Sequence, residues 1–458
     1  MRTMTHLFIS LTAEKLTQHT TNKKHTCVYV TILLIKNMNS SEKSTTTMTS
    51  KSMWPQAQQA SITLTQLLVQ QEQDHQEQQE YDEDQSDDPH HDDNIIPGCF
   101  NYVDSKDPLE IIHVTRLPTG DDDGPHCNWN VITTPVWNAR RLLSDVSLHV
   151  TGFDLVESKL PCDGDDTKND YIDFLDSLQV VKQYYPLCES LLKSYLEEHN
   201  PTPGAGQDDH DDDAKGPKEP ATNVCFVKAF DHNIRIQESS NTDITSTSSS
   251  LSDRTLKNGH GSKAQYPIAV CHGDYTHISA PRRVQQLGEP PKTNDVLRLL
   301  LQKSTTSTAP EPACDTSLLS QELVQDILHG KKRYAIINVW RSIDREHVVS
   351  SFPLACCDTR TVRKDDLRTL KIHYSDRIGE NYLVTHEERH KWMYFPSMYF
   401  EEAMLIKQWD SEGGIANGQS SDEGHISTFA IHSAFQTPLS SDWKPRQSIE
   451  VRCLCVWE

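Results

Sequence analysis

The sequence predicts a β-rich α+β fold, and three observations carry that prediction. Short apolar runs with strand character dominate the second half, at 334–340, 392–395, 403–409 and 449–457. One stretch in the front half, 171–198, instead repeats its apolar residues every three or four positions: Leu175, Leu178, Val181, Tyr185, Cys188, Leu192 and Leu196. Polar, low-complexity segments separate these elements without apolar periodicity of their own. Strands that outnumber helices, with a helical part in front, fit a double-stranded β-helix (jelly-roll) core with flanking helices.

Taken in order, residues 1–94 are rich in Thr, Ser, Gln, Asp and Glu and predict a disordered polar and acidic tail. The oxygen- and charge-rich composition changes near Ile95, so the second unit is set at 95–458. Residues 142–156 read as a strand, a turn at Gly152 and a second strand, followed by the helix of 171–198. Low-complexity inserts are placed near 200–220, 237–263, 303–316 and 411–425. Between them lie strands at 224–230 and 266–271, then the four runs already named, with a further strand at 427–435.

The formal net charge of −22 argues against nucleic acid as a main partner, since phosphate binding wants clustered Lys and Arg. Much of the acidity sits in runs at 81–93, 121–123 and 208–213, which read as solvated chain. Twelve cysteines at irregular spacing predict reduced, mostly buried thiols and a cytoplasmic protein, not a disulfide framework or zinc finger. The apolar run 27–35 is too short to span a bilayer. It follows Lys23 and Lys24, so a late signal-like segment is one reading and an over-extended start, with Met48 as the true one, is the other.

The chemistry is carried by an ordered set: His272-Gly273-Asp274, then His432, then Arg446-Gln447-Ser448. Of four H-x-D triplets, three lie inside acidic runs, where any histidine has an aspartate nearby by composition. The fourth follows an apolar run, and alternation puts His272 and Asp274 on one face. Two imidazoles and a carboxylate on one side of a ferrous ion leave other positions open for a cosubstrate and dioxygen. Arg446 begins the only R-x-S of the chain; a guanidinium forks onto a carboxylate, and the Ser448 hydroxyl stands beside it, as 2-oxoglutarate requires. His425 is a rival ligand in a polar insert, and Arg452 a rival anchor on the same strand face. Taken alone, His432 is better explained as a buried, hydrogen-bonded histidine, and Arg446 reads as a strand-end arginine in a surface ion pair. Asn338 and Trp340 share a face and are candidates for the pocket, as are Trp392 and Tyr394, which with His390 form an aromatic wall or simply pack.

Further motifs bring a resemblance into view: N-V-W-R at 338–341, P-L-A at 353–355 with Cys357 and Asp358, G-E-x-Y at 379–382, H-x-W at 390–392, H-x-A-F at 432–435 and R-x-S-I-E-V-R at 446–452. In the front half stand T-G-F at 151–153, Y-Y-P at 184–186 and F-D-H-x-x-R at 230–235. This set resembles the AsaB-type hydroxylase/desaturase family, with which fungal gibberellin desaturase and the cephamycin 7-alpha-methoxylation component are grouped. The resemblance covers about 96–458 between the inserts. It implies an Fe(II)- and 2-oxoglutarate-dependent oxygenase that hydroxylates or desaturates a small specialised metabolite with dioxygen. It assigns iron to His272, Asp274 and His432, and 2-oxoglutarate to Arg446 and Ser448. The chain departs from the pattern at 275–283 and at Ser342, where a proline is usual. Two other classes stay open: a non-catalytic interaction scaffold on the same fold, and a zinc hydrolase using the same triad, for which no H-E-x-x-H motif is present.

Overall fold

Strands β1 (Ile95–Val103), β2 (Ile111–Thr115), β3 (Trp129–Asn138), β4 (Phe153–Glu157), β5 (Val224–Ile236), β6 (Leu256–Lys257), β7 (Lys263–Gln265) and β8 (His272–Gly273) make up the first half of the sheet structure in a computed structural model of the chain. The second half is β9 (Tyr334–Ser342), β10 (Leu354–Cys357), β11 (Leu367–His373), β12 (Ile378–Val384), β13 (Trp392–Tyr394), β14 (Glu402–Asp410), β15 (His432–Ala434) and β16 (Gln447–Trp457). The structure describes residues 94–106, 110–115, 127–160, 171–199, 223–237, 256–257, 263–265, 267–292, 296–301, 316–374, 378–436 and 444–458. The expected tail, apart from Asn94, lies outside these residues, as do nearly all of the inserts at 200–220, 237–263 and 303–316.

The strands form two mixed sheets. The first runs β1-β3-β13-β10-β15-β8-β12-β11-β2, and the second β4-β14-β9-β16-β5-β7-β6. β9 and β14 are buried at every position, as strands covered on both faces must be. Ala335, Ile337 and Val339 of β9 pack with Tyr185, Cys188 and Leu192 of the helix Tyr185–Glu198. Ile336, one step out of phase, packs with Phe100, Trp392 and Phe435 of the first sheet. The helix therefore covers one face of the second sheet, and the first sheet covers the other. β16 obeys the same alternation: Val451, Cys453 and Cys455 meet the helix side, while Leu454 and Val456 meet the first sheet. Ser448, Glu450 and Arg452 share the parity of Leu454 and so face the space between the sheets.

Several expected elements differ in the structure. Residues 142–150 form turns and no strand. Here Ser147 and Thr151 side chains capture backbone N–H groups, at 3.0 Å from Val150 and 3.1 Å from Ser147, and so compete with a ladder. The helix of 171–198 begins only at Ser177, where Asp176 caps Leu178 N at 2.9 Å. A π-turn at Val180–Tyr184 then passes the Tyr185 N–H to Val180 O, one residue ahead of Pro186, whose nitrogen has no hydrogen to donate. Residues 267–271 are extended but carry only an isolated bridge, Asn101–Val270, so the strand before the H-x-D triplet shrinks to β8. Likewise 427–431 is not a strand, and only His432–Ala434 is.

The segment 411–425, expected as an insert carrying Gly, Ser and Asp, is an ordered loop with a 3-10 turn at Ile415–Asn417. Its organiser is the buried carboxylate of Asp422, which accepts from Ile415 N at 2.8 Å, Thr428 N at 2.7 Å, Thr428 Oγ1 at 2.7 Å and Thr359 Oγ1 at 2.6 Å. Composition alone does not reveal one carboxylate gathering four donors.

Candidate metal centre

The sheet register brings the two histidines side by side. β8 sits between β12 and β15, and His272 pairs directly with His432 across the ladder. Their rings lie 4.5 Å apart between centroids. The approach to β8 is fixed from β1: Cys271 N donates to Asn101 O at 3.0 Å, and the Asn101 side chain donates to Ala269 O at 2.5 Å. Asp274 follows one residue beyond the strand, where its backbone N–H donates to Gln408 Oε1 at 3.3 Å.

One ligand atom from each of His272, Asp274 and His432 lies within 4.8 Å of the others, and this is the one such cluster of three among the described residues. Both histidines are locked in the same way. His272 Nδ1 lies 2.7 Å from Val270 O and His432 Nδ1 lies 3.1 Å from Ala430 O. A carbonyl only accepts, so each Nδ1 carries the hydrogen and each Nε2 keeps its lone pair. Burial pushes His272 down to about 4, aided by His432, and lowers His432 as well. Asp274 goes the other way. Burial alone would raise its carboxyl, but Arg452 and the two histidines pull it below the usual carboxylate range. Two neutral imidazoles and an ionised carboxylate are the donor set that a divalent metal binds without first displacing a proton.

Arg452 is the group sequence reasoning placed as a rival anchor; the structure commits it elsewhere. Its Nη2 and Nε donate to Asp274 Oδ2 at 2.9 and 3.2 Å. The same guanidinium pairs with Glu450 Oε1 at 2.9 Å and Asp231 Oδ2 at 3.3 Å. Burial works against its charge, but Asp274, Glu450 and Asp231 more than offset that and hold it well above the usual range. Asn338 adds a third donor to Asp274 Oδ2, at 3.2 Å.

Arg446 is buried under different conditions. Its Nη1 donates to Phe352 O, its guanidinium carbon stands 5.6 Å over the Trp340 ring, and among the described residues no carboxylate pairs with it. Phe352, which presents that carbonyl, has φ 43, a rare conformation for a bulky residue. Burial lowers the Arg446 guanidinium to about 9, with Arg235 nearby adding to the effect. Arg446 Nε and Ser448 Oγ are both buried without a hydrogen-bond partner, and so are Asn338 Oδ1 and Gln408 Nε2. Buried polar groups are seldom left so. An unpaired cation with a free N–H and a hydroxyl on the same strand face suits a carboxylate ligand.

Of the expected pocket residues, Asn338 and Trp340 stand at this site. Trp392 does not: its indole is fully buried, stacked on Phe100 at 4.3 Å and donating to Tyr102 Oη at 2.6 Å. Tyr394 packs edge-on against Phe435 at 5.4 Å in the same core, and His390 is bonded to Asp366 at 3.1 Å. That face is core because β13 lies deep in the first sheet, between β3 and β10. His425 is exposed on its loop and is not in the cluster. Sequence reasoning missed Glu450 and Gln408. Glu450 shares parity with Ser448 and Arg452, which was a usable signal. Gln408 sits at a β-bulge between Lys407 and Trp409, and no sequence period announces a bulge.

Comparison with known proteins adds the following. Residues 308–456 match a family model described as "YDMC: Oxidoreductase/YMDC permease-like domain". Over 250 residues, 53% of the chain, the sequence is 31% identical to "Uncharacterized protein in dcmA 3'region" of Methylophilus leisingeri, covering 89% of that protein. It is 35% identical over 141 residues to "Hydroxylase/desaturase efuI" of Hormonema carpetanum, 28% of this chain and 43% of that one. The chain spans about half, or less, of the length of such named curated relatives. The fold is similar to that of a solved structure titled as the iron and alpha-ketoglutarate-dependent endoperoxidase NvfI, with TM-score 0.50 and 19% identity, covering 80% of this chain and 98% of that one.

Proposed function

The chain belongs to the AsaB-type hydroxylase/desaturase family, and from that premise we propose that it is an Fe(II)/2-oxoglutarate-dependent oxygenase that hydroxylates or desaturates a small specialised metabolite. The single observation that carries this reading is the pairing of two sites in one interior. A His272/Asp274/His432 cluster stands ready for a metal, and a buried Arg446 without a carboxylate partner stands ready for an anion. A zinc hydrolase would leave that arginine without a task. The reading takes the two sheets as the double-stranded β-helix core. It also takes the protein as cytoplasmic, supported by eight described cysteines, among them Cys271, Cys356, Cys357, Cys453 and Cys455, that are thiols without a disulfide. No helix among the described residues is long and apolar enough to cross a membrane.

In this reading His272 Nε2, His432 Nε2 and an Asp274 oxygen hold the iron. When bound, iron with 2-oxoglutarate supplies dioxygen activation, coupled to decarboxylation of the cosubstrate to succinate, and the oxidising power to remove hydrogen from a substrate C–H bond. The chain's own residues position and shield. Arg446 pairs with the carboxylate of 2-oxoglutarate far from the metal, Ser448 Oγ donates to the same group, and Trp340 backs the guanidinium. Val270 O and Ala430 O keep both imidazoles in one tautomer. The surrounding core excludes water, which strengthens each of these charged contacts.

The test is anaerobic addition of Fe(II) and 2-oxoglutarate to the folded chain. A metal-to-ligand charge-transfer band is expected. Arg446→Ala should weaken 2-oxoglutarate by about 10- to 100-fold, the worth of a charge-assisted pair, and iron by far less. A folded parent chain that gives no band would overturn the reading.

A further inference from the structure

Asp274 is held asymmetrically, and the asymmetry has a use. Its Oδ2 accepts three donations, from Arg452 Nη2 at 2.9 Å, Arg452 Nε at 3.2 Å and Asn338 Nδ2 at 3.2 Å. Its Oδ1 lies 3.7 Å from His272 Nε2, on the side of the cluster. A carboxylate offers about four lone-pair sites on two oxygens. With Oδ2 committed to three N–H groups, Oδ1 is left to a metal. The donors are themselves anchored. Glu450 and Asp231 hold the Arg452 guanidinium, and β9 and β16 pair Asn338 with Arg452 directly in register. Gln408 Oε1 takes the Asp274 backbone N–H, so the residue is pinned at main chain and side chain together.

We infer that Arg452, with Asn338, is a positioning residue that restricts Asp274 to one-oxygen ligation of the metal. An aspartate free to rotate can bind through both oxygens and fill a position that cosubstrate or dioxygen needs. Arg452 prevents this by holding Oδ2 in a forked contact that an ammonium does not reproduce. The inference rests on the metal-binding reading above and deepens it: Arg446 serves the anion, while Arg452 serves the metal ligand.

The test uses Co(II) alone as the probe, so it needs no turnover and no substrate. Arg452→Lys keeps a cation against Glu450 and Asp231 but loses the fork. Asn338→Ala removes one donor and leaves all charges in place. Both are expected to weaken Co(II) by about 10- to 100-fold, the usual cost of losing a partner of a metal ligand. Both are also expected to weaken the visible Co(II) absorption as the coordination number rises. If Arg452→Lys does not fold, Asn338→Ala reads the same donor set. Parent-like affinity and spectrum in the folded variants would overturn the inference while leaving the proposed function intact. A parent chain that binds no Co(II) would remove both.

Discussion

His272 joins three facts in one side chain: a backbone carbonyl fixes its tautomer, burial suppresses its charge, and its free nitrogen faces Asp274. The electrostatics give a pH prediction for the metal-free chain. His272 titrates at about 4 in the fold against the ordinary 6.5. Between those limits the unfolded chain binds more protons than the folded one, so stability is full above about 6.5 and falls as pH drops toward 4. The slope from one such group is up to roughly 1.4 kcal/mol per pH unit. Thermal midpoints of the metal-free protein should therefore fall from pH 7 to pH 5, and His272→Gln should flatten the fall. An unchanged slope in that variant would show that the acid sensitivity lies elsewhere. The residues that announced themselves in the sequence were those with a motif around them, such as His272, His432 and Arg446. Arg452 was weighed as a rival anchor and set aside because Ser448 follows Arg446; its partner Asp274 was not foreseen, because parity on a strand gives the face and not the partner.

Among the elements, the long apolar runs were legible and the short connecting ones were not. β9, β14 and β16 fall where the runs at 334–340, 403–409 and 449–457 predicted, because a strand buried on both faces needs a continuous apolar sequence. The segments carrying the ligands are different. β8 has two residues and β15 three, with extended chain before each held by single contacts to neighbours. Such chain has the composition of a strand without its ladder. Gly152 marks one of these contacts. Its φ is +89, and an added Cβ would stand 3.2 Å from Phe429 O and 3.2 Å from Ala430 Cβ, three and two residues before His432. Gly152 O also accepts from Lys407 N at 2.8 Å, next to the bulge at Gln408. Gly152→Ala should cost about 1–2 kcal/mol from the left-handed conformation alone and should weaken metal binding through the displaced 429–432 segment. Lowered stability in a denaturant titration with unaltered Co(II) affinity would show that the strain stops short of His432.

At the scale of the whole molecule, the site joins elements far apart in the chain. Its proposed metal ligands lie on or just beyond β8 and on β15 in one sheet, and the groups that hold Asp274 come from β9, β14 and β16 in the other. No local pattern could report that meeting, since the two histidines are far apart in sequence and only the ladder makes them neighbours. What made the site legible was order: H-x-D, then His, then R-x-S. The tertiary burial that lowers the Arg446 guanidinium left no trace in the sequence. A metal bound here would tie β8 to β15 within the first sheet, at the junction where Arg452 and Asn338 hold Asp274 to the second. A ligand that binds only the folded chain stabilises it by mass action, by about 2.7 kcal/mol at a hundred times its dissociation constant. For a domain of this size that corresponds to a rise in thermal midpoint of roughly 3–5 °C. Co(II) or Fe(II) should produce that rise at pH 7, and chelation should reverse it. The gain should hold down to about pH 5 and shrink toward pH 4, where protons begin to compete for the His272 imidazole. His432→Gln should abolish the gain while leaving the apolar packing between the sheets in place. A parent midpoint indifferent to metal, in a chain that binds metal by absorption, would mean the cation sits outside this junction.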